Sequence, residues 1–125
     1  MTLTIIDSSV LIDVSLRREP EIRFLSQMAD AGPVWSSVIV RSELWACARP
    51  EEADRVTDLL DLLRWHDLTV AIADLAGRLA YRYRETHKIG LPDFVIAATA
   101  IEVGGTVATL NVRDFPMFPG LQPPY

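Results

Sequence analysis

Residues 91–111, with the sequence LPDFVIAATAIEVGGTVATLN, decide the fold of this chain. Pro92 suits the first turn of a helix, and residues 94–103 are apolar on nearly every side, so they predict a buried helix. The glycine pair at 104–105 ends that helix, and the run at 106–110 then predicts a strand. A buried helix leading into a strand is typical of α/β domains in which helices connect parallel strands.

The rest of the chain repeats this alternation. Residues 3–6 predict a strand, and Ser8 and Ser9 then offer hydroxyls that could cap a first helix. Further helices are predicted after Pro20, after a cap at Ser36 or Ser37, from residue 50 onward, and over residues 71–87. Further strands are predicted at 34–35 and 67–70, with a short capped turn at 111–115. The pattern predicts a single α/β domain over residues 1–125, a three-layer sandwich with a mainly parallel central sheet of four to five strands flanked by helices.

The composition limits the classes of function. The chain has 125 residues, half of them apolar, which is enough for one hydrophobic core. Its 12 basic and 17 acidic residues give a net charge of −5, which argues against binding nucleic acid or membranes by bulk attraction. A metal-dependent nuclease stays open, because bound cations reverse the field of an acidic cleft. With no export signal or spanning segment, a cytoplasmic location is expected. Cys47, the only cysteine, is expected as a small core residue.

Three carboxylates occur in apolar stretches. Asp7 closes the first strand, Glu43 lies in the apolar arc of its helix, and Asp93 opens the hydrophobic helix at 94–103. A carboxylate removed from water without a counter-charge takes up a proton or costs several kcal/mol of stability. No basic residue lies next to Asp7 or Asp93. A shared divalent cation is therefore the first hypothesis.

Each acid also has a purely structural interpretation. Asp7 follows a strand, where parallel sheets bind ligands, but it could equally cap the first helix. Glu43 could reach water at the edge of its helix or pair with an arginine. The helix dipole alone would favour Asp93, and Asp114, three residues after Asn111, fits a capping box slightly better than a metal ligand. The metal hypothesis therefore depends on all the acids meeting in space.

Together, these segments resemble the PIN-domain ribonucleases, and specifically the VapC toxins of toxin–antitoxin pairs. The resemblance runs from residue 3 to about residue 121, nearly the entire chain, and its order matches the family pattern. Ser9 departs from that pattern, since many relatives have Asn there. The matching segments are IIDSSVLID with Asp7, SSVIVRSELWA with Glu43, LPDFVIAATA with Asp93, and TLNVRDF with Thr109, Asn111, Asp114 and Phe115.

The resemblance implies a PIN fold and a metal-dependent endoribonuclease, a hydrolase acting as the toxin of a VapBC-type pair. Oxygen ligands suit Mg²⁺, with Mn²⁺ as an alternative, and one ion or two are both compatible with the acids. The implied catalytic residues are Asp7, Glu43, Asp93 and Asp114, of which Asp7 and Asp93 would bind the metal.

Four neighbouring polar residues are candidates for substrate binding. Ser8 and Thr109 could form hydrogen bonds to the site, although hydroxyls at strand and helix ends are more often local caps, and the same two alternatives apply to Ser9. Asn111 could point its amide at the site, and Arg113 could bind a phosphate or pair with Asp114. On the predicted helix at 71–87, the basic residues are expected to form a solvated face, with an RNA-contacting edge as the alternative.

By resemblance, the expected partners are an RNA substrate, a VapB-type antitoxin lying across the first two helices, and a second copy of the chain. The homodimer would act alone or within a larger complex with antitoxin, and no membrane is involved. The enzymatic rival is an aspartate-based phosphatase of the haloacid dehalogenase type, which also places Asp after its first strand. That mechanism needs a second Asp where Ser9 stands. A rival of another class is a non-catalytic PIN-fold module that binds protein.

Overall fold

Four short parallel strands form one sheet in the computed structural model, which describes residues 3–15, 19–86 and 88–125, with only the backbone of residues 13–15. Ile5 pairs with Trp35 on one side and with Val107 on the other, so the first strand is central. The predicted α/β class and mainly parallel sheet are confirmed. The strands β1 (Thr4–Ile6), β2 (Trp35–Ser37), β3 (Arg64–His66) and β4 (Thr106–Ala108) have the order β3-β2-β1-β4.

Helices flank the sheet and connect its strands, because consecutive parallel strands need a crossover between them. Two short 3-10 turns, Pro50–Glu52 and Val112–Asp114, complete the regular structure of the described residues. No helix in that part of the chain is long and apolar enough to cross a membrane. The helices are α1 (Ser8–Ser15), α2 (Glu19–Ala31), α3 (Val38–Cys47), α4 (Ala53–Asp61), α5 (Val70–Tyr83) and α6 (Leu91–Glu102).

Helix α6 is the centre of the hydrophobic core. Every residue from 94 to 100 is buried, and Ile96 and Ala97 are fully inaccessible to solvent. The helix packs against α5, α3 and strands β1, β2 and β4, and its alanines allow these elements to approach closely. The predicted buried helix is confirmed, and it fixes Asp93 in its first turn beside the carboxyl ends of the strands.

The glycine pair after α6 is required by geometry. Gly104 has φ +68°, a left-handed conformation that ends the helix. Gly105 lies so close to β1 that an added Cβ would collide with the carbonyl oxygen of Leu3. That same oxygen accepts a hydrogen bond from the backbone N–H of Thr106 at 2.9 Å, which starts the pairing of β4 with β1.

The predicted strand at residues 67–70 is wrong, because the third strand is Arg64–His66. The backbone N–H of Arg64 donates to the carbonyl of Val34 at 2.8 Å, which joins this segment to the sheet. Thr69 instead caps α5, since its hydroxyl accepts from the N–H of Ile72 at 3.2 Å. Helix α5 ends at Tyr83, earlier than predicted, and His87 lies outside the described residues.

The two ends of α3 can also be compared with the sequence predictions. Strand β2 extends through Ser37, and it is Ser37 that caps α3, by accepting from the N–H of Ile39 at 3.3 Å. Ser36 points elsewhere and donates to the carbonyl of Ile6 at 2.7 Å, tying β2 to β1. Cys47 is exposed at the end of α3, so its expected place in the core is wrong.

Candidate active site

Asp7 lies at the carboxyl end of β1 and is 2% exposed. Its Oδ1 accepts from the backbone N–H of Ser8 at 2.8 Å. Its Oδ2 accepts from the hydroxyls of Ser9 at 2.9 Å and Thr109 at 2.7 Å. Hydrogen bonds to an ionised acceptor are stronger than neutral ones, so these three donors compensate the burial of the carboxylate and fix its orientation. The predicted capping role of the Ser8 and Ser9 hydroxyls is wrong, because both turn toward Asp7.

Ser9 also joins the two strands that carry the site. Its oxygen accepts from the backbone N–H of Leu110 at 3.1 Å, just beyond β4, while its own hydrogen goes to Asp7. Of the two alternatives for Ser9, a hydrogen bond to the site and a local helix cap, the structure shows the first. The sequence favours the cap, because hydroxyl residues directly after a strand more often cap the next helix.

Thr109 is part of the support for Asp7. It is fully buried, donates to Asp7 and accepts from the backbone N–H of Asn111 at 2.9 Å. In this structure Thr109 supports Asp7, and its predicted contact with a substrate stays a prediction. Ser8 is nearly as buried, at 9% exposed, and its hydroxyl lies 3.5 Å from Oδ1 of Asp7.

Glu43 projects from α3 and is half-buried. Its Oε1 is inaccessible to solvent and has no hydrogen-bond partner among the described residues. Burial raises the pKa of Glu43, the charge of Asp7 raises it further, and the Ser8 hydroxyl opposes both effects. A buried carboxylate oxygen without a donor is destabilising, and it is free to bind a cation or a water.

Asp93 is influenced by the other three acids. Burial and, in decreasing order, the charges of Asp7, Asp114 and Glu43 together raise the pKa of its carboxyl to about 7. Four residues spread over more than a hundred positions therefore form one electrostatic cluster. Their meeting closely enough to share an ion stays a prediction.

Asp114 ends the 3-10 turn that follows β4. The predicted capping box is wrong: no side-chain hydrogen bond from Asn111 caps this turn, and the turn is closed by the backbone, with the N–H of Asp114 donating to the carbonyl of Asn111 at 3.0 Å. Asn111 and Arg113 are both exposed. Arg113 and Asp114 do not form an ion pair with each other in the described structure, so this alternative for Arg113 is not observed.

The side chains of this cluster suit a hard divalent cation. All the atoms that could bind a metal in this cluster are oxygens, and one carboxylate oxygen of Glu43 is buried without a hydrogen-bond partner. Burial and the neighbouring negative charges also make the ionised form of Asp93 less favourable. Among the described residues, no group of three His, Cys, Asp or Glu side chains is arranged to enclose a metal. Mg²⁺ needs no such cage, because it retains several waters and is commonly held by one or two carboxylates. A site using Asp7 and Asp93 fits that pattern.

Comparison with known proteins gives a consistent result. Residues 4–118 match the family model described as PIN domain. Ribonuclease VapC19 of Mycobacterium tuberculosis is 41% identical over 126 residues, which cover 98% of this chain and all of that protein.

Solved structures share the fold. A chain of a toxin–antitoxin complex from Klebsiella pneumoniae superimposes with a TM-score of 0.75 at 26% identity, covering 99% of this chain and 98% of that one. A chain of DNA-bound VapBC from Salmonella typhimurium gives a TM-score of 0.79 at 23% identity, covering 98% and 96%. At 23% identity, the similarity to the Salmonella typhimurium chain shows a shared fold only.

Proposed function

Because this chain belongs to the PIN domain family and is a VapC-type member of it, we propose that it is the metal-dependent endoribonuclease of a VapBC-type toxin–antitoxin pair. It would hydrolyse phosphodiester bonds in RNA with Mg²⁺, or with Mn²⁺ in its place. One observation carries the proposal: burial, and after it the charges of Asp7, Asp114 and Glu43, raise the pKa of Asp93 to about 7, so four acids act on one another at one place. A cation bound among them would lower that pKa and favour the ionised carboxylates.

Asp7 and Asp93 would hold the ion. Asp7 is fixed by three donors, so it offers its remaining oxygen lone pairs in one orientation. Asp93 is fixed by the first turn of α6, where its N–H donates to the carbonyl of Gly90 at 3.1 Å. When bound, a divalent cation supplies positive charge against the negative charge that develops on the phosphate during hydrolysis. Ser8, Ser9 and Thr109 would contribute by holding Asp7 in place.

Glu43 and Asp114 would complete the acidic pocket. Glu43 is half-buried, and its raised pKa makes this carboxylate a better acceptor for a proton from the attacking water. Asp114 adds a further negative charge near Asp93 and helps to raise its pKa. Asn111 and Arg113 are exposed beside it, and they would contact the phosphate or sugar of the RNA.

The proposed partners follow from the relatives. A similar solved structure, at 26% identity, belongs to a toxin–antitoxin complex, which supports a VapB-type antitoxin as the protein partner. A homodimer, alone or inside a larger complex, is also proposed. Trp45 supports it, because this large aromatic side chain in α3 is 43% exposed, and exposed tryptophans are enriched at protein interfaces.

The rival functions differ in what they require of the site. A phosphatase of the haloacid dehalogenase type needs an acid at the position of Ser9, whose hydroxyl is instead bonded to Asp7. Membership of the PIN domain family also excludes that fold. A non-catalytic protein-binding module would have the same fold without cleavage, so the assay below decides between the two.

The test is cleavage of a labelled single-stranded RNA by the purified chain in Mg²⁺, in Mn²⁺ and in excess EDTA. We expect cleavage with either metal, none in EDTA, and a loss of at least a hundredfold in Asp7→Asn, because that substitution removes a metal ligand. Asp74→Asn is the matched control, since Asp74 is an exposed acid on α5 outside the cluster. Cleavage that persists in Asp7→Asn, or that proceeds in EDTA, would refute the proposal.

A further inference from the structure

The loop before α6 separates two neighbouring cavities. The first, of about 620 Å³, is lined by residues that include Tyr83, Arg84 and Lys88. The second, of about 420 Å³, is lined by residues that include Lys88, Arg113 and Asp114. Lys88 and Ile89 line both cavities, so the two are adjacent. We name the two cavities together the Lys88 groove, and its defining residues are Tyr83, Arg84, Lys88, Ile89, Arg113 and Asp114.

The Lys88 groove begins at the acidic cluster. Asp114 lines one end, and its charge acts on Asp93. Gly90 lines the other cavity, and its carbonyl accepts the N–H of Asp93. The Lys88 groove therefore adjoins the acidic cluster at Asp114 and at the loop that leads into Asp93.

The charge of the groove is opposite to that of the chain as a whole. Arg84, Lys88 and Arg113 line it against one acid, Asp114, in a protein of net charge −5. Lys88, the only lysine in the sequence, and Arg113 are exposed, and neither is in an ion pair with another described residue. Lys88 lies in the loop between α5, which ends at Tyr83, and α6.

The groove also has apolar and aromatic surface. Leu91 is 58% exposed at its edge, and Ile89 is half-buried in its floor. Tyr83 is half-buried and packs against Phe94, with ring centroids 6.4 Å apart and an interplanar angle of 22°, and the guanidinium carbon of Arg82 lies 5.7 Å from the Tyr83 ring centroid. Arg84 is held against Tyr81, 3.7 Å from the ring centroid, so it is a fixed charge at the far end.

We propose that the Lys88 groove is a binding subsite for the single-stranded RNA that flanks the bond to be cleaved. Lys88 and Arg113 bind phosphates on that strand, while Tyr83 and Leu91 contact a ribose or a base. Cations that track the backbone beside apolar and aromatic surface are the combination that binds single strands without sequence preference. The inference deepens the proposed function and depends on it, because it identifies where that substrate lies.

The first measurement is the salt dependence of RNA binding. The probe is a fluorescein-labelled ten-nucleotide single-stranded RNA, followed by fluorescence anisotropy in the Asp7→Asn background so that it is not cleaved. Each lost phosphate contact reduces the slope of log K against log salt by about 0.7 for single strands. We expect that reduction in Lys88→Gln and in Arg113→Gln, together with weaker binding. Arg78→Gln, which removes an exposed charge lining a different cavity, should retain the parent slope.

The second measurement separates this subsite from the reaction centre. Without the Asp7→Asn substitution, kcat/KM is measured on the ten-nucleotide RNA and on bis(p-nitrophenyl) phosphate, a diester without flanking nucleotides. Lys88→Gln should lower the ratio of the RNA value to the small-diester value by about threefold or more, since one phosphate contact is lost. Arg78→Gln should leave this ratio at the parent value.

The outcomes distinguish the two proposals. A parent chain that neither binds nor cleaves RNA refutes the proposed function. An active parent whose Lys88→Gln and Arg113→Gln variants keep the parent slope and ratio refutes only the subsite. The subsite is also refuted if Arg78→Gln changes the slope as much, or if Lys88→Gln weakens binding of an acidic peptide while RNA binding is unchanged.

Discussion

Thr109 donates its hydroxyl hydrogen to Oδ2 of Asp7 at 2.7 Å, although 102 residues separate them in the sequence. The bond joins the end of β4 to the end of β1, and it is shielded from water because both residues are buried. Ser9 donates to the same oxygen, so the orientation of Asp7 is set by residues from two segments.

Thr109→Val should weaken both the fold and the site, because it keeps the side-chain shape and removes the hydroxyl. We expect the free energy of unfolding to fall by about 1.5–3 kcal/mol, the usual range for a hydrogen bond to a charged group. RNA cleavage should also decrease. Urea denaturation and the cleavage assay measure the two effects. Thr109→Ser retains the hydroxyl and is the control; a Val variant as stable and active as the Ser variant would contradict this role.

Stability should depend on pH through Asp93. Its pKa is raised from 3.8 to about 7 in the folded chain, so between these values the folded state binds more protons than the unfolded state. The free energy of unfolding of the metal-free chain should therefore fall as pH rises from about 4 to 7. Denaturation in EDTA across this range measures the slope.

The matched variant for this pH dependence is Asp93→Asn, which cannot titrate at that position. Its stability should fall less steeply than that of the parent over the same interval. Parallel curves for the two proteins would show that Asp93 is not the group responsible.

Divalent cations should stabilise the folded chain. A ligand that binds only the folded state adds RT ln(1 + [L]/Kd), about 2.7 kcal/mol at a concentration one hundred times Kd. We expect Mg²⁺ and Mn²⁺ to raise the melting temperature of the parent more than that of Asp93→Asn in a thermal-shift titration. Glu102→Gln, an exposed acid at the end of the same helix, should respond as the parent does. Equal shifts in the parent and Asp93→Asn would argue against the proposed ligand.

Gly105→Ala should destabilise the chain, because the new Cβ would collide with the carbonyl oxygen of Leu3 in the neighbouring strand. We expect a loss of at least 2 kcal/mol, in the range of about 1–3 kcal/mol or more for forced overpacking. Gly77→Ala makes the same chemical change in α5, where nothing lies within 4 Å. That control should raise stability by roughly 0.5–1 kcal/mol, and thermal denaturation compares the two. A Gly105→Ala protein as stable as the parent would refute this packing.

Local patterns were sufficient for most of the fold. The apolar run at 94–103, the proline before it and the glycines after it act within one element and its ends, so α6 and its termini could be predicted. The strand at 67–70 was predicted wrongly because residues 64–66 and 67–70 both suit a short strand. Only the hydrogen bond from the N–H of Arg64 to the carbonyl of Val34 selects residues 64–66 as the strand.

The sequence by itself determined the α/β class, the parallel sheet and the acids that belong to the candidate site, because each depends on residue type and short-range order. Only the tertiary structure decided how those acids are supported. The directions of the Ser9 and Thr109 hydroxyls, the unpartnered oxygen of Glu43 and the position of Lys88 in a groove depend on segments distant in the chain. A hydroxyl can cap its own helix or donate to a distant carboxylate at similar local energy, so the choice is made by which partner the packed core brings within reach.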